Sequence, residues 1–163
     1  MHSPWVNNFI TEDRLVEVSK MIQVGTKLPV TFCEEYQYWV KGLDKLANQL
    51  DFISLHTYPA WRNLPIEEAV QEAIYNYQEV KSKHPDKTLV ITETGWPSEG
   101  GSLKGAVSSA ENAMKYFINT QQWSKSDIET CYFSSFDELW KVGDEGDVGV
   151  FWGIWDKDEK LKF

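Results

Sequence analysis

Four short apolar runs, each preceded or followed by a stretch of helical periodicity, leave this chain few ways to fold. The runs cover residues 28–33, 52–58, 88–93 and 130–136. Between them the spacing predicts helices over 36–48, 66–83 and 107–122, and a leading helix runs from Thr11 to about Val24. In the longest helix, Ile66, Val70, Ala73, Ile74, Tyr77 and Val80 recur on one face, and Pro65 stands at its start, where a missing N–H is tolerated. Thr11 suits an N-cap, with Glu12 and Asp13 favourably placed at the positive end of the helix dipole. Strands alternating with helices predict an α/β fold with a parallel sheet and helical crossovers. Doubly wound sheets and eight-stranded barrels both satisfy the pattern, and both place their chemistry at the carboxyl ends of the strands. Cys33-Glu34-Glu35, Tyr58-Pro59, Glu93 and Asp137-Glu138 stand there.

The chain has 163 residues, 42% of them hydrophobic, enough for a single domain over 1–163 with a sizeable core. Its net charge of -9 argues against nucleic acid and anionic membranes, which require basic surfaces. Cys33 and Cys131 lie in apolar runs, with no C-x-x-C pair and no His at zinc spacing, which predicts buried free thiols. No run reaches transmembrane length, and Met1-His2-Ser3-Pro4-Trp5 lacks a basic segment followed by an apolar one. The expectation is a cytoplasmic protein or a leader outside this sequence.

One stretch carries chemistry. Thr88-Leu89-Val90-Ile91 leads through Thr92 to Glu93, and Thr94-Gly95-Trp96-Pro97-Ser98-Glu99-Gly100 follows. A carboxylate at a strand end, beside a Gly-Trp-Pro break, suits sugar chemistry: carboxylates attack or protonate glycosidic bonds, and indoles cover the apolar face of a pyranose. The stretch resembles the active-site signature of glycoside hydrolase family 17, the β-1,3-glucan hydrolases and their transferase relatives. Leu28-Pro29-Val30-Thr31, residues 51–61, residues 132–141 and Phe151-Trp152-Gly153-Ile154-Trp155-Asp156 resemble that family's later elements in order.

The resemblance implies strands five to eight of a (β/α)8 barrel, the carboxyl-terminal half, with Glu93 as nucleophile of a retaining reaction. It implies a β-glucan substrate, no metal or organic cofactor, and a family usually found outside the cell, in the periplasm or in the cell wall. For substrate binding it points to Tyr58, Trp96, Phe136, Glu138, Trp140 and Lys141. Tyr58 can hydrogen-bond the nucleophile and favour its charged form. Trp96 is expected to floor a sugar subsite, and Glu138 and Lys141 to bind hydroxyls or pair with each other. Trp39 and Trp61 are weaker candidates, His56 reads as an inward or core histidine, and Glu145 and Asp147 read as a solvated loop.

The family's general acid/base follows a Gly-Asn pair on strand four. No Gly-Asn-Glu occurs here, and Trp5-Val6-Asn7-Asn8 resembles the loop after that strand. A barrel needs at least about 200 residues. Glu34, Glu35, Asp137 and Glu138 are the substitute donors at the correct sheet end. Four strands alone leave unpaired edges and an open inner face, so two copies closing eight strands, or a piece of a longer chain, are the expectations. The alternative function is a non-catalytic glucan-binding or assembly module. A phosphate-binding α/β domain comes third, because Gly100 to Gly105 lies between a strand and a helix yet fails the G-x-x-x-x-G-K-[ST] pattern.

Overall fold

The computed structural model describes residues 10–101, 103–125 and 127–163. The segment Trp5-Val6-Asn7-Asn8, and Ser102 within the glycine-rich loop, lie outside the described residues. The elements run α1 (Glu12–Thr26), β1 (Cys33–Glu35), α2 (Tyr36–Lys41), α3 (Asp44–Gln49), β2 (Ile53–His56), α4 (Ile66–Lys83), β3 (Leu89–Thr94), α5 (Ala110–Ser124), β4 (Thr130–Tyr132) and β5 (Asp144–Asp147). Short 3-10 turns cover Pro59–Arg62 and Leu139–Lys141.

Strands β1 to β4 form one sheet in the order β1-β2-β3-β4, with every neighbouring pair parallel. The order never reverses. Right-handed crossovers in a sheet without reversal deliver every helix to the same face, whereas a doubly wound sheet needs a reversal to cover both. The winding is therefore that of a barrel. Ile53, Leu55, Leu89 and Ile91 turn towards the helices and join Trp39, Leu43, Leu46 and Val80 in the main core.

The opposite face is open at its edges. Cys33 pairs in register with Ser54, and Cys131 lies between Thr130 and Tyr132, which puts both thiols on the side away from Ile91. Both cysteines are free, as expected, but both are exposed. The expectation of burial fails because an apolar neighbourhood in sequence says nothing about which face of the sheet is covered.

Other departures have local causes. The first strand begins at Cys33, not at Leu28: Pro29 has no N–H to give, and Val30 gives its own to the Asp51 carboxylate at 2.7 Å. The helix expected over 36–48 breaks at Leu43, whose φ of 59° lies in the left-handed region while its side chain is buried. Thr11 caps α1 by accepting from the Arg14 N–H at 3.2 Å, and Ser109 caps α5 in the same way at 3.1 Å.

Beyond β3 the chain packs tightly. A Cβ on Gly95 would lie 2.2 Å from the Phe133 carbonyl oxygen and 3.2 Å from the Trp152 ring. Glycine is required here for close approach between β3 and the strand beside it. Gly95→Ala is expected to cost about 1–3 kcal/mol by overpacking, read as a lower urea midpoint with an unchanged slope.

Candidate active site

Strict alternation along β3 would send Glu93 the same way as Ile91, into the helices. The registers show why it does not. Leu55 pairs with Ile91 but His56 pairs with Glu93, so β3 carries one extra residue between the two pairs. The same irregularity appears against β4, where Ile91 faces Thr130 and Thr94 faces Tyr132. A bulge of this kind re-aims the side chains that follow it. Glu93 is turned to the open face beside His56, while Thr94 returns to the helix side and meets the Tyr116 hydroxyl at 2.6 Å.

The Glu93 side chain is 40% exposed. The Tyr58 hydroxyl donates to its Oε2 at 3.0 Å, and His56 Nδ1 lies 3.4 Å from the same oxygen. Among the described residues Oε1 has no hydrogen bond, which leaves one oxygen held and one free. Burial, then the adjacent Glu93 charge, push the Tyr58 phenol far above its ordinary range, so it stays protonated and donates. For His56, burial disfavours the charged ring, but the Cys33 thiol and the Glu93 carboxylate outweigh it and raise the pKa. The Cys33 thiol is lowered, chiefly by His56 against the effect of burial. Among the described residues, His56 Nε2 has no hydrogen-bond partner.

Tyr58 stands edge-on to Trp152 at 5.4 Å between ring centroids, and Trp61 lies over the other part of that indole, also at 5.4 Å. Trp152 is 2% exposed and braces the site from beneath. Its position in a terminal segment far along the chain gave no sign of that role. Trp61 is partly exposed at the rim.

Trp96 is a correction. It is 1% exposed, gives its Nε1–H to the Val107 carbonyl at 3.0 Å and packs on Tyr116. The backbone that places Glu93 in the open folds the next large ring inward, so Trp96 supports the site from within the core and offers no face to a sugar. Trp39 is likewise fully buried. Phe136 and Trp140 are exposed at 50% and 69%, on the loop beyond β4. Glu138 and Lys141 pair with each other at 2.6 Å, and the ammonium lies 4.3 Å from the Phe133 ring centroid.

The substitute donors are mostly committed elsewhere. Asp137 forms a buried ion pair with Lys162 at 2.6 Å and accepts from the Gly153 N–H, tying down the chain end. Glu34 is buried, and its Oε1 accepts from the Glu35 N–H. Glu35 is exposed and accepts from Gln37 at 3.0 Å. In the glycine-rich loop, Gly101 gives its N–H to the Asp147 carboxylate. A carboxylate therefore already occupies that loop amide, which counts against the phosphate reading. Among the described residues no group of three or more His, Cys, Asp or Glu side chains is placed to hold a metal ion, and no helix is long and apolar enough to cross a membrane.

The sequence model of the BtgE/BtgC glycoside hydrolase domain matches residues 6–153. The chain belongs to that family. It is 27% identical over 155 residues to a glucan 1,3-beta-glucosidase of Candida albicans, covering 85% of this chain and 48% of the relative. A probable family 17 glucosidase of Saccharomyces cerevisiae is 39% identical over 74 residues, which is 44% of this chain and 18% of that protein. The structure of an active-site mutant of Rhizomucor miehei beta-1,3-glucanosyltransferase in complex with laminaritriose superposes with a TM-score of 0.87 at 25% identity. The match covers 98% of this chain and 59% of that one. The same fungus's glycoside hydrolase family 17 glucanosyltransferase gives 0.79 at 27% identity, over 92% and 54%. The resemblance to family 17 holds, and this BtgE/BtgC domain spans about half the length of the curated relatives it matches.

The raised pKa of His56 has a sign that can be tested. Its proton binds more tightly in the folded state, so the stability it adds is complete below about 6.5 and is lost as pH rises through the folded value. The His56 ring is expected to titrate above 6.5 by NMR and to fall in Glu93→Gln. The difference in thermal midpoint between wild type and His56→Gln is expected to shrink as pH rises over that interval.

Proposed function

We propose that this BtgE/BtgC domain is the carboxyl-terminal half of a β-1,3-glucan-directed retaining glycoside hydrolase or transglycosylase, with Glu93 as its nucleophile. One observation carries the reading: a bulge in β3 turns Glu93 out of the helix layer, with one oxygen held by Tyr58 and the other without a partner among the described residues. The names of the relatives, glucan 1,3-beta-glucosidase and beta-1,3-glucanosyltransferase, support the glucan as substrate.

In the reaction, Oε1 of Glu93 bonds to the anomeric carbon as the glycosidic carbon–oxygen bond breaks, and the departing oxygen takes a proton from an acid. Water or a sugar hydroxyl then attacks the same carbon, giving its proton back to that acid's conjugate base, and releases the carboxylate. Tyr58 and His56 stabilise Glu93 whenever it carries its charge. Phe136 and Trp140 are the exposed rings that offer apolar faces to neighbouring sugar units, and the Glu138–Lys141 pair presents polar atoms beside them.

The acid is the missing part. Asp137 is sealed by Lys162 and Glu34 is buried, so neither serves. A second copy closing eight strands would bring its own strand ends across from Glu93, with Glu138 as the carboxyl best placed to act. That pairing would also cover Cys33 and Cys131. The commitment of the nearby carboxylates equally favours a second reading, in which the domain binds glucan without cleaving it.

Incubation with laminarin separates the readings. Release of product, lowered by on the order of 10³-fold or more in Glu93→Gln, supports the enzyme; binding without product supports the binding domain. Light scattering is expected to give twice the mass of the chain, with both thiols slow towards a disulfide reagent. A stable monomer with two fast thiols would end the idea of closure by a second copy.

A further inference from the structure

The bulge in β3 gives Thr94 a place that a polar side chain seldom takes. Thr94 is 0% exposed on the helix side, where Ala60, Ala69, Trp96, Ala113 and Tyr116 form an apolar cluster. A hydroxyl in such surroundings is costly unless another group bonds it. Among the described residues its partner is the Tyr116 hydroxyl, at 2.6 Å. Tyr116 comes from α5 and is itself fully buried, its ring 5.8 Å from that of Trp96 and 6.5 Å from that of Tyr132 between centroids. Burial pushes its phenol up to about 12, so the pair stays neutral near pH 7.

This bond bears on Glu93 because neighbours along a strand face opposite ways. With Thr94 inward, Glu93 points outward. Were Thr94 to swing to the open face, Glu93 would be carried towards the helices. Main-chain bonds resume on both sides of the bulge, from the Thr57 N–H to the Glu93 carbonyl at 3.0 Å and from the Phe133 N–H to the Thr94 carbonyl at 2.8 Å. Bonds of this kind are the same for any side chain, so the choice of face falls to what each side chain meets. Water on the open face would satisfy the Thr94 hydroxyl, and the Tyr116 hydroxyl makes the buried place its equal. Tyr58 and His56 hold the Glu93 carboxylate from one face of the sheet. Tyr116 holds the next residue from the other.

We infer that Tyr116, through its hydroxyl bond to Thr94, is a positioning residue that keeps the bulge at Thr92 and Glu93 and the Glu93 carboxylate aimed at the open face. As a role in catalysis this rests on Glu93 being the nucleophile. Tyr116 acts from within the helix layer and lies 22 residues beyond Thr94, so nothing in the Gly-Trp-Pro stretch marks it.

Tyr116→Phe removes the hydroxyl and keeps the ring. In the full chain, the His56 titration followed by NMR is expected to fall towards its value in Glu93→Gln, because the carboxylate drifts from the imidazole. Burial still opposes the charged ring there. Cys33 and Glu34, which with Glu93 raise the His56 pKa, stand on β1, two strands from Thr94, and stay as they are. On laminarin, kcat is expected to fall by about tenfold or more with KM within about twofold. Adding Thr94→Val, whose apolar side chain needs no partner in the core, is expected to restore both readouts.

If Tyr116→Phe does not fold, Thr94→Ser decides. It keeps the hydroxyl without the methyl, so the His56 titration is expected to stay at the wild-type value, and a fall would overturn the inference. A folded Tyr116→Phe protein with a lower urea midpoint but an unmoved His56 titration would make the hydroxyl merely structural and overturn it too. Laminarin left intact by the wild type and every variant, with His56 moving as expected, would remove the catalytic reading of Glu93 and leave its aiming by Tyr116 standing.

Discussion

One extra residue in β3 decides what this domain can do. A six-residue strand that alternated without interruption would bury Glu93 against α4 and α5, where an unpaired carboxylate is costly. The bulge at Thr92 and Glu93 breaks the alternation once. It sends the carboxylate to the open face and returns Thr94 to the helices, so the hydrophobic layer below closes as though nothing had happened. The neighbouring strand supplies what the turned group needs. His56 and Tyr58 lie two residues apart at the end of β2 and reach the same carboxylate oxygen.

The tight packing beyond β3 belongs to the same device. Gly95 lets the Phe133 backbone approach, Trp96 folds into the core, and Trp152 closes the underside of Tyr58. A rigid floor of rings beneath an exposed carboxylate is what positioning requires, since a charge that wanders loses the benefit of its partners. Charged groups further along are spent on structure. The buried Lys162–Asp137 pair fastens the last residues against Ser98.

Much of this was legible in the sequence, for definite reasons. Strand and helix periodicities are local, so the βα order, the cap at Thr11 and Pro65 at the start of α4 could be read directly. Glu93 and Tyr58 could be singled out because strand ends and sugar chemistry both mark them. What stayed hidden depends on contacts distant along the chain. The bulge is a matter of register between strands, and register is invisible in one strand alone. Trp96 looked like a sugar platform because it directly follows the turn after Glu93; its burial follows from Val107 and Tyr116. The open face that exposes Cys33 and Cys131 is set by strand order, which no run of residues encodes. Asp137 lost its candidacy to a lysine 25 residues away.

As the proposed nucleophile, Glu93 would bond directly to a sugar carbon. A 2-deoxy-2-fluoro-β-laminaribiosyl fluoride tests it without a proton donor, because fluoride departs unaided and the fluorine at carbon 2 slows release of the covalent intermediate. Mass spectrometry of digested protein is predicted to find one laminaribiosyl adduct, on the peptide that contains Glu93 and on that residue. An adduct on another carboxylate, or an unmodified protein whose ring signals nevertheless shift with the sugar, would contradict the account.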